Sequence, residues 1–300
     1  MPRHRYDDDE PGAKNATGAR RACRARCILV KHQLHSQQSP GTHRSPSPAG
    51  SGEGAGGGEG GGAWRARTSG ANSERLSLAT AVLIPLKAPS EAKERLAGIL
   101  DRGERRELAI TTFRGVVEAV LAAGLELAVV TPDVAAAAGL LTSDATLIAE
   151  SPVASGLSAQ IEYALAQPSF ASFEHVLILH ADLPLATPEA LRALAGRADA
   201  GVTMVESADG GTNALLAPLP LDFDLQYGSG SYAKHRTAAA AAGLAVHRFA
   251  SPALALDLDT PEDIRALLEH PEGAASPAGQ LLLRWGLPAR LAARGMRNAE

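Results

Sequence analysis

Apolar residues fall into short, regularly interrupted runs only from about residue 79 onward. Ala81-Val82-Leu83-Ile84-Pro85-Leu86 is an apolar run stopped by proline, and it predicts a buried strand. Over 104–123, Leu108, Ile110, Phe113, Val116, Val117 and Val120 recur at helical spacing, predicting an amphipathic helix that ends near Gly124. Leu127-Ala128-Val129-Val130-Thr131 predicts the next strand, with Asp133 placed to cap the helix after it. Thr146–Ala149 predicts a third strand, 156–167 a helix, and His175-Val176-Leu177-Ile178-Leu179 a fourth strand ending on His180-Ala181-Asp182. Thr187-Pro188-Glu189 reads as an N-cap followed by proline in the first helical turn. Further strands are expected at Gly201–Val205, Asn213–Ala217, Leu244–Phe249 and Leu254–Leu258. A helix is expected over 231–242, and another, capped by Thr260-Pro261-Glu262-Asp263, running to about 269. Strands alternating with helices predict an α/β fold, a three-layer sandwich with a mostly parallel sheet. In such folds ligands sit beyond the carboxyl ends of the strands.

Charge sharpens the division. Residues 1–75 hold 12 Lys+Arg against 7 Asp+Glu, 13 of the 30 glycines and both cysteines. That segment carries +5 and the remaining 225 residues carry -9. Residues 1–75 read as a disordered basic Gly/Ser/Arg-rich extension, too poor in apolar surface to offset chain entropy. Residues 76–270 form one domain of ordinary size, and 271–300 a tail with a possible helix at Gln280–Trp285 that can pack on the domain. No run of about 18 apolar residues predicts a membrane span, and no apolar stretch predicts a signal peptide, so a cytoplasmic protein is expected. Cys23 and Cys27 lie outside the domain, which leaves it no cysteine-based metal site or disulfide. An acidic domain argues against nucleic acid as a partner.

Four clusters fall at the predicted strand ends. Lys87, Lys93 and Arg95 put three cations after the first strand, a pattern suited to phosphate, although Glu91–Arg95 is also an ordinary i,i+4 pair. No GxGxxG or GxxxxGK[ST] is present there. Asp182 ends an apolar strand, and Asp257 and Asp259 alternate onto one face of an extended segment. If Asp257 faces Asp182, the pair suits Mg²⁺, which takes one or two carboxylates and completes its shell with water and substrate phosphates. Asp209-Gly210-Gly211-Thr212-Asn213 and Tyr227-Gly228-Ser229-Gly230-Ser231-Tyr232 offer close backbone approach, hydroxyl donors and a helix N-terminus, or simply two turns. His180 reads as structural rather than as a base.

The segments IPLKAPSEAKERLAGIL (84–100), ADLPLATPEAL (181–191), DGGTNALL (209–216), YGSGSYAKHRTAAAAAGL (227–244) and LDLDTPEDIRALL (256–268) resemble the guanylyltransferases of coenzyme F420 biosynthesis, the CofC/FbiD type, within the MobA-like nucleotidyltransferases. The likeness runs over about residues 80–269 in family order. It implies the nucleotide-diphospho-sugar transferase (MobA-like) fold. The implied reaction moves GMP from GTP to phosphoenolpyruvate or 2-phospho-L-lactate, releases pyrophosphate, and hands the product to a downstream deazaflavin-modifying transferase. The alternative is another MobA-like nucleotidyltransferase acting on 3-phosphoglycerate or a different phosphorylated acceptor. By matched position the resemblance implies Mg²⁺ on Asp182 and Asp257, with Asp259 as a further partner. It places Lys87, Lys93 and Arg95 on the triphosphate, with Asp182, Lys93 and Lys87 catalytic, and Thr212, Gly228 and Ser231 on the acceptor. Gly156 and Ser158 fall in the segment near the base, where the family reads GLNxA and this chain has Ser158 for Asn. That departure leaves the choice of guanine open. The acceptor phosphate is already nucleophilic, so in-line attack on the α-phosphorus needs positioning and charge neutralisation rather than a base. A nucleotide-binding regulatory protein without catalysis is the reading from a different class. Tight GTP binding without turnover would favour it.

Overall fold

The structure, a computed structural model, describes residues 80–88, 93–141 and 145–297. The basic extension of 1–75 with Cys23 and Cys27, and Glu91 of the basic segment, lie outside the described residues. Strands β1 (Thr80–Pro85), β2 (Glu126–Thr131), β3 (Thr146–Ala149), β4 (His175–Leu179), β5 (Val202–Glu206), β6 (Thr212–Pro218) and β7 (Val246–Arg248) form one sheet. Their order is β3-β2-β1-β4-β6-β5-β7. The pairs β1–β2, β1–β4, β2–β3 and β5–β7 are parallel, whereas β6 runs against both β4 and β5. Because β6 is reversed, its first residues lie where the other strands end, and His180 N–H donates to Asn213 O at 3.0 Å across that edge.

The helices are α1 (Arg102–Ala122), α2 (Val134–Ala138), α3 (Gly156–Leu165), α4 (Pro188–Ala195), α5 (Ser231–Ala241), α6 (Pro252–Ala255), α7 (Pro261–Glu269), α8 (Pro277–Arg284) and α9 (Leu287–Arg297). Strand alternation sends Val82 and Ile84 to one face, against Phe113, Val116 and Val120 of α1 and Leu191 and Leu194 of α4. Ala81 and Leu83 go to the other, against Ile161 of α3 and Tyr232 and Ala239 of α5. The expected three-layer α/β sandwich is therefore present. Several caps follow the sequence: Thr187 accepts from Ala190 N–H, Asp133 from Ala136 N–H, and Thr260 closes a capping box with Asp263.

The strand expected at Leu254–Leu258 does not form. Pro252–Ala255 is a single helical turn instead, because Pro252 sets a helical start and the Asn213 amide donates to the carbonyls of Leu254 and Ala255 at 3.1 and 3.0 Å. The tail is not loose: Leu281, Leu282, Leu287 and Leu291 join a third apolar cluster with Leu96, Leu108, Leu258 and Ile264. This cluster fixes the site from behind, because Leu96 and Leu258 enter it from segments that also carry Lys93, Asp257 and Asp259. Leu258→Ala is expected to destabilise the fold by about 2–5 kcal/mol and to weaken turnover by freeing both flanking aspartates. Urea denaturation read beside activity checks this.

Candidate active site

At the carboxyl edge of the sheet the Lys93 ammonium sits between two carboxylates, 2.8 Å from Asp182 Oδ2 and 3.3 Å from Asp259 Oδ1. Lys93 is held there by its backbone. It takes a left-handed conformation, φ 62°, before a 3₁₀ turn at Glu94–Leu96. It is the one non-glycine residue with positive φ among the described residues, a strain typical of functional positions. Leu258 N–H donates to Asp182 O at 3.2 Å, tying the end of β4 to the Asp257–Asp259 segment. Asp259 N–H donates in turn to Asp263, the capping-box partner of Thr260 at the start of α7.

The charges are interdependent. Burial alone would push the Lys93 ammonium down, but Asp182 and Asp259 outweigh it and hold its pKa above the usual lysine value. Burial would likewise raise Asp182, but Lys93 and then His180 hold its carboxyl below the usual range. Asp257 is pushed up to about 7 by burial and by the neighbouring carboxylates of Asp182 and Asp259. Lys87 and Arg95 are exposed. Lys87 follows β1 directly and Arg95 lies in the 3₁₀ turn after Lys93, so the segment leaving the carboxyl end of β1 carries both.

The glycine turn beside the site is sterically required. Gly210 has φ 81°, and a Cβ on Gly211 would stand 2.6 Å from Ser207 Oγ. Asp209 accepts from Ser207 Oγ and from Gly211 N–H, the latter at 3.0 Å, which closes the turn leading into β6. Thr212 and Ser231 come together, with Oγ atoms 3.1 Å apart. They are 1% and 2% exposed, so they lie beneath the surface rather than on it. Gly228 is exposed, with φ 121°.

The structure does not bring Gly156 or Ser158 into hydrogen-bond contact with Lys93, Asp182 or Asp259. Gly156 opens α3 with φ 82°. Ser158 Oγ accepts from Tyr227 N–H at 2.9 Å and so holds the segment leading into the Gly228–Ser231 turn. Three residues organise these loops, of which the sequence singled out only Asn213, as a member of the Asp209–Asn213 cluster and without this role. Gln160 binds the backbone of Ser151 and Ala154, Asn213 holds the turn of α6, and buried His235 contacts both Thr212 and Gln226. The i,i+4 spacing of Ser231 and His235 on one helix was the available signal for the last.

His180, Tyr227 and His235 form an aromatic row, with ring centroids 5.7 and 4.7 Å apart. Burial pushes His235 down to about 4, with His180 and Lys234 adding to the shift, and His180 is lowered in the same sense. A depressed histidine stabilises the fold fully above its unfolded pKa, near 6.5, and that contribution is lost as pH falls through the folded value. Stability is expected to drop between pH 6.5 and 4, by on the order of 3 kcal/mol at most from His235. Urea midpoints across that range should fall less steeply in His235→Asn.

Among the described residues no group of three or more His, Cys, Asp or Glu side chains is placed to hold a metal ion, and no helix is long and apolar enough to cross a membrane. The aspartates, the clasped cation and the glycine turns lie together at the carboxyl edge of a mostly parallel sheet in an α/β sandwich, the edge at which ligands of such folds bind. A protein described as a nucleotide-diphospho-sugar transferase from Desulfovibrio desulfuricans G20 shares the fold, with a TM-score of 0.58 at 14% identity over 71% of this chain and 97% of that one. Residues 80–284 match the family described as Guanylyl transferase CofC like, and the chain belongs to that family. It is 36% identical over 214 residues to a phosphoenolpyruvate guanylyltransferase of Conexibacter woesei, covering 68% of this chain and 96% of the relative. It is also 36% identical over 195 residues to a 2-phospho-L-lactate guanylyltransferase of Halomicrobium mukohataei, covering 65% and 88%. The chain is an enzyme of the nucleotidyltransferase class.

Proposed function

We propose that the chain transfers GMP from GTP to phosphoenolpyruvate or 2-phospho-L-lactate, releasing pyrophosphate, as a cytoplasmic step of coenzyme F420 biosynthesis. A downstream deazaflavin-modifying transferase consumes the product. The observation that carries this reading is the buried Lys93 ammonium clasped by Asp182 and Asp259 at the sheet edge. It is a preformed array of opposite charges of the kind phosphoryl chemistry uses.

The residues fit Mg²⁺ in their donor set. Asp182, Asp257 and Asp259 offer hard carboxylate oxygens, and Asp257 is raised first by burial and then by the neighbouring carboxylates of Asp182 and Asp259. Mg²⁺ takes one or two carboxylates and completes its shell with water and substrate phosphates. Asp182 and Asp257 would hold it, with Asp259 beside them, and when bound it would neutralise phosphate charge.

The protein's own groups do the rest. Exposed Lys87 and Arg95 draw the triphosphate to the edge. Lys93 offsets the carboxylates so that a polyanion can approach, and its charge stabilises the equatorial oxygens as pyrophosphate departs. The Asp209–Thr212 and Gly228–Ser231 turns orient the acceptor so that its phosphate oxygen attacks the α-phosphorus in line. No proton needs to be removed from that oxygen.

The test supplies Mg²⁺, each of four nucleoside triphosphates, and phosphoenolpyruvate, 2-phospho-L-lactate or 3-phosphoglycerate, then measures pyrophosphate. Release is expected only with GTP and one of the first two acids. Product trapped on the deazaflavin acceptor is to be identified by mass. Silence in every combination sinks the proposal, and release with another base relocates specificity to the loop around Ser158.

A further inference from the structure

We infer that His235 is a positioning residue whose fixed tautomer leaves the Thr212–Ser231 hydroxyl pair with one surplus donor hydrogen for an anionic oxygen of the acceptor. The inference rests on the acceptor chemistry proposed above. Three consecutive backbone N–H groups ahead of the glycine turn are each taken by a side chain: Leu225 by Glu162 at 3.2 Å, Gln226 by His235 Nε2 at 2.8 Å, and Tyr227 by Ser158 at 2.9 Å. Glu162 and Ser158 pin the residues on either side, so the Gln226 N–H cannot swing away from the ring. Nε2 must therefore keep its lone pair, and in a neutral imidazole the hydrogen then sits on Nδ1. The ring is 0% exposed, which keeps it neutral.

Nδ1 lies 3.1 Å from Thr212 Oγ1 and donates to it. Ser231 Oγ lies 3.1 Å from the same oxygen. The Thr212–Ser231 contact can use only one of the two hydroxyl hydrogens, so the other has no acceptor in this cluster. With the opposite tautomer Thr212 would donate to Nδ1, Ser231 would donate to Thr212, and no hydrogen would be left over. The Gln226 contact thus sets the polarity of a hydroxyl pair on two other elements, β6 and the start of α5. Thr212 and Ser231 are almost wholly covered, so an oxygen reaching that hydrogen requires the adjoining Gly228–Gly230 turn to give slightly.

Nitrogen-detected NMR of ¹⁵N-histidine-labelled full-length protein, with the His235 signal assigned by its loss in His235→Gln, reads the tautomer directly. Nδ1–H is expected, and adding phosphoenolpyruvate should shift the His235 signals without changing the tautomer. An Nε2–H ring overturns the inference. Two variants supply the functional arm. The His235→Gln carbonyl reaches the Nε2 position and keeps the Gln226 contact but loses the donor to Thr212, so the surplus hydrogen remains and is no longer held on one hydroxyl in one direction. The His235→Asn amide stands at Nδ1 and keeps that donor. In folded proteins, His235→Gln is expected to raise KM for the acceptor about tenfold with KM for GTP unchanged, and His235→Asn to hold it within about threefold. Equal losses for both substrates in both variants, or no change in either, overturn the inference. The tautomer is read without turnover, so an Nε2–H ring removes this inference alone. Silence in the pyrophosphate assay removes the acceptor assignment and, with it, the use of the surplus hydrogen.

Discussion

Lys93→Met should yield a folded protein whose Mg²⁺-dependent pyrophosphate release is down by about 10³-fold. Methionine keeps the length and apolar stem of the side chain and removes only the ammonium. Asp182 and Asp259 then face Asp257 with no cation among them. Three carboxylates at one strand edge repel an incoming triphosphate and one another. Lys93→Gly separates charge from backbone. Glycine adopts φ 62° without strain, so this variant relaxes the turn and should fold at least as well as Lys93→Met, yet be as inactive. If backbone conformation were all that mattered here, glycine would serve. Lys93→Arg is not expected to rescue, because a buried point-charge site has no room for a planar fork. Near-normal turnover in a folded Lys93→Met would remove Lys93 from the catalytic groups and undo the central observation.

Much of the fold was legible because the sheet is buried on both faces. Runs such as Val176–Leu179 announce themselves, and capping residues such as Thr187, Thr260 and Asp133 mark helix starts by local chemistry that tertiary packing does not override. The failure at Leu254–Leu258 has the opposite origin. Its shape is set by Asn213, more than 40 positions earlier in the chain, and no local pattern encodes that. The acidic residues were legible as strand-end carboxylates, but their arrangement was not. Asp182 and Asp259 meet through Lys93, and Lys93 reaches them because Leu96 and Leu258 bury in a cluster built partly from the tail. Ser158 makes a contact that its place in the sequence does not announce. Its hydroxyl oxygen is engaged by Tyr227, a contact with a segment about 70 residues away.

Asp182→Asn is expected to cut turnover by about 10³-fold while leaving the fold intact. The substitution is isosteric, and the backbone carbonyl that receives Leu258 N–H is untouched. What disappears is the carboxylate closest to Lys93, at 2.8 Å, together with a hard oxygen for the proposed Mg²⁺. Because Asp182 is also the nearby charge that most raises Asp257, its loss should let the Asp257 carboxyl fall from about 7 toward an ordinary value. The pH dependence of Mg²⁺ binding carries that signature. If Asp257 helps hold Mg²⁺ as proposed, binding below about pH 7 displaces its proton, so calorimetry in buffers of different ionisation enthalpy should show proton release at pH 6 that vanishes by pH 8. In Asp182→Asn the binding should be weaker and the proton release at pH 6 smaller. Asp257→Asn removes the release altogether but leaves both Lys93 ion pairs, so it should retain more activity than Asp182→Asn. The double variant Lys93→Met/Asp182→Asn then decides whether the cation and the carboxylate act as one unit. If they do, it is scarcely slower than either single variant. Losses that multiply instead would mean that Lys93 meets the triphosphate independently of Asp182.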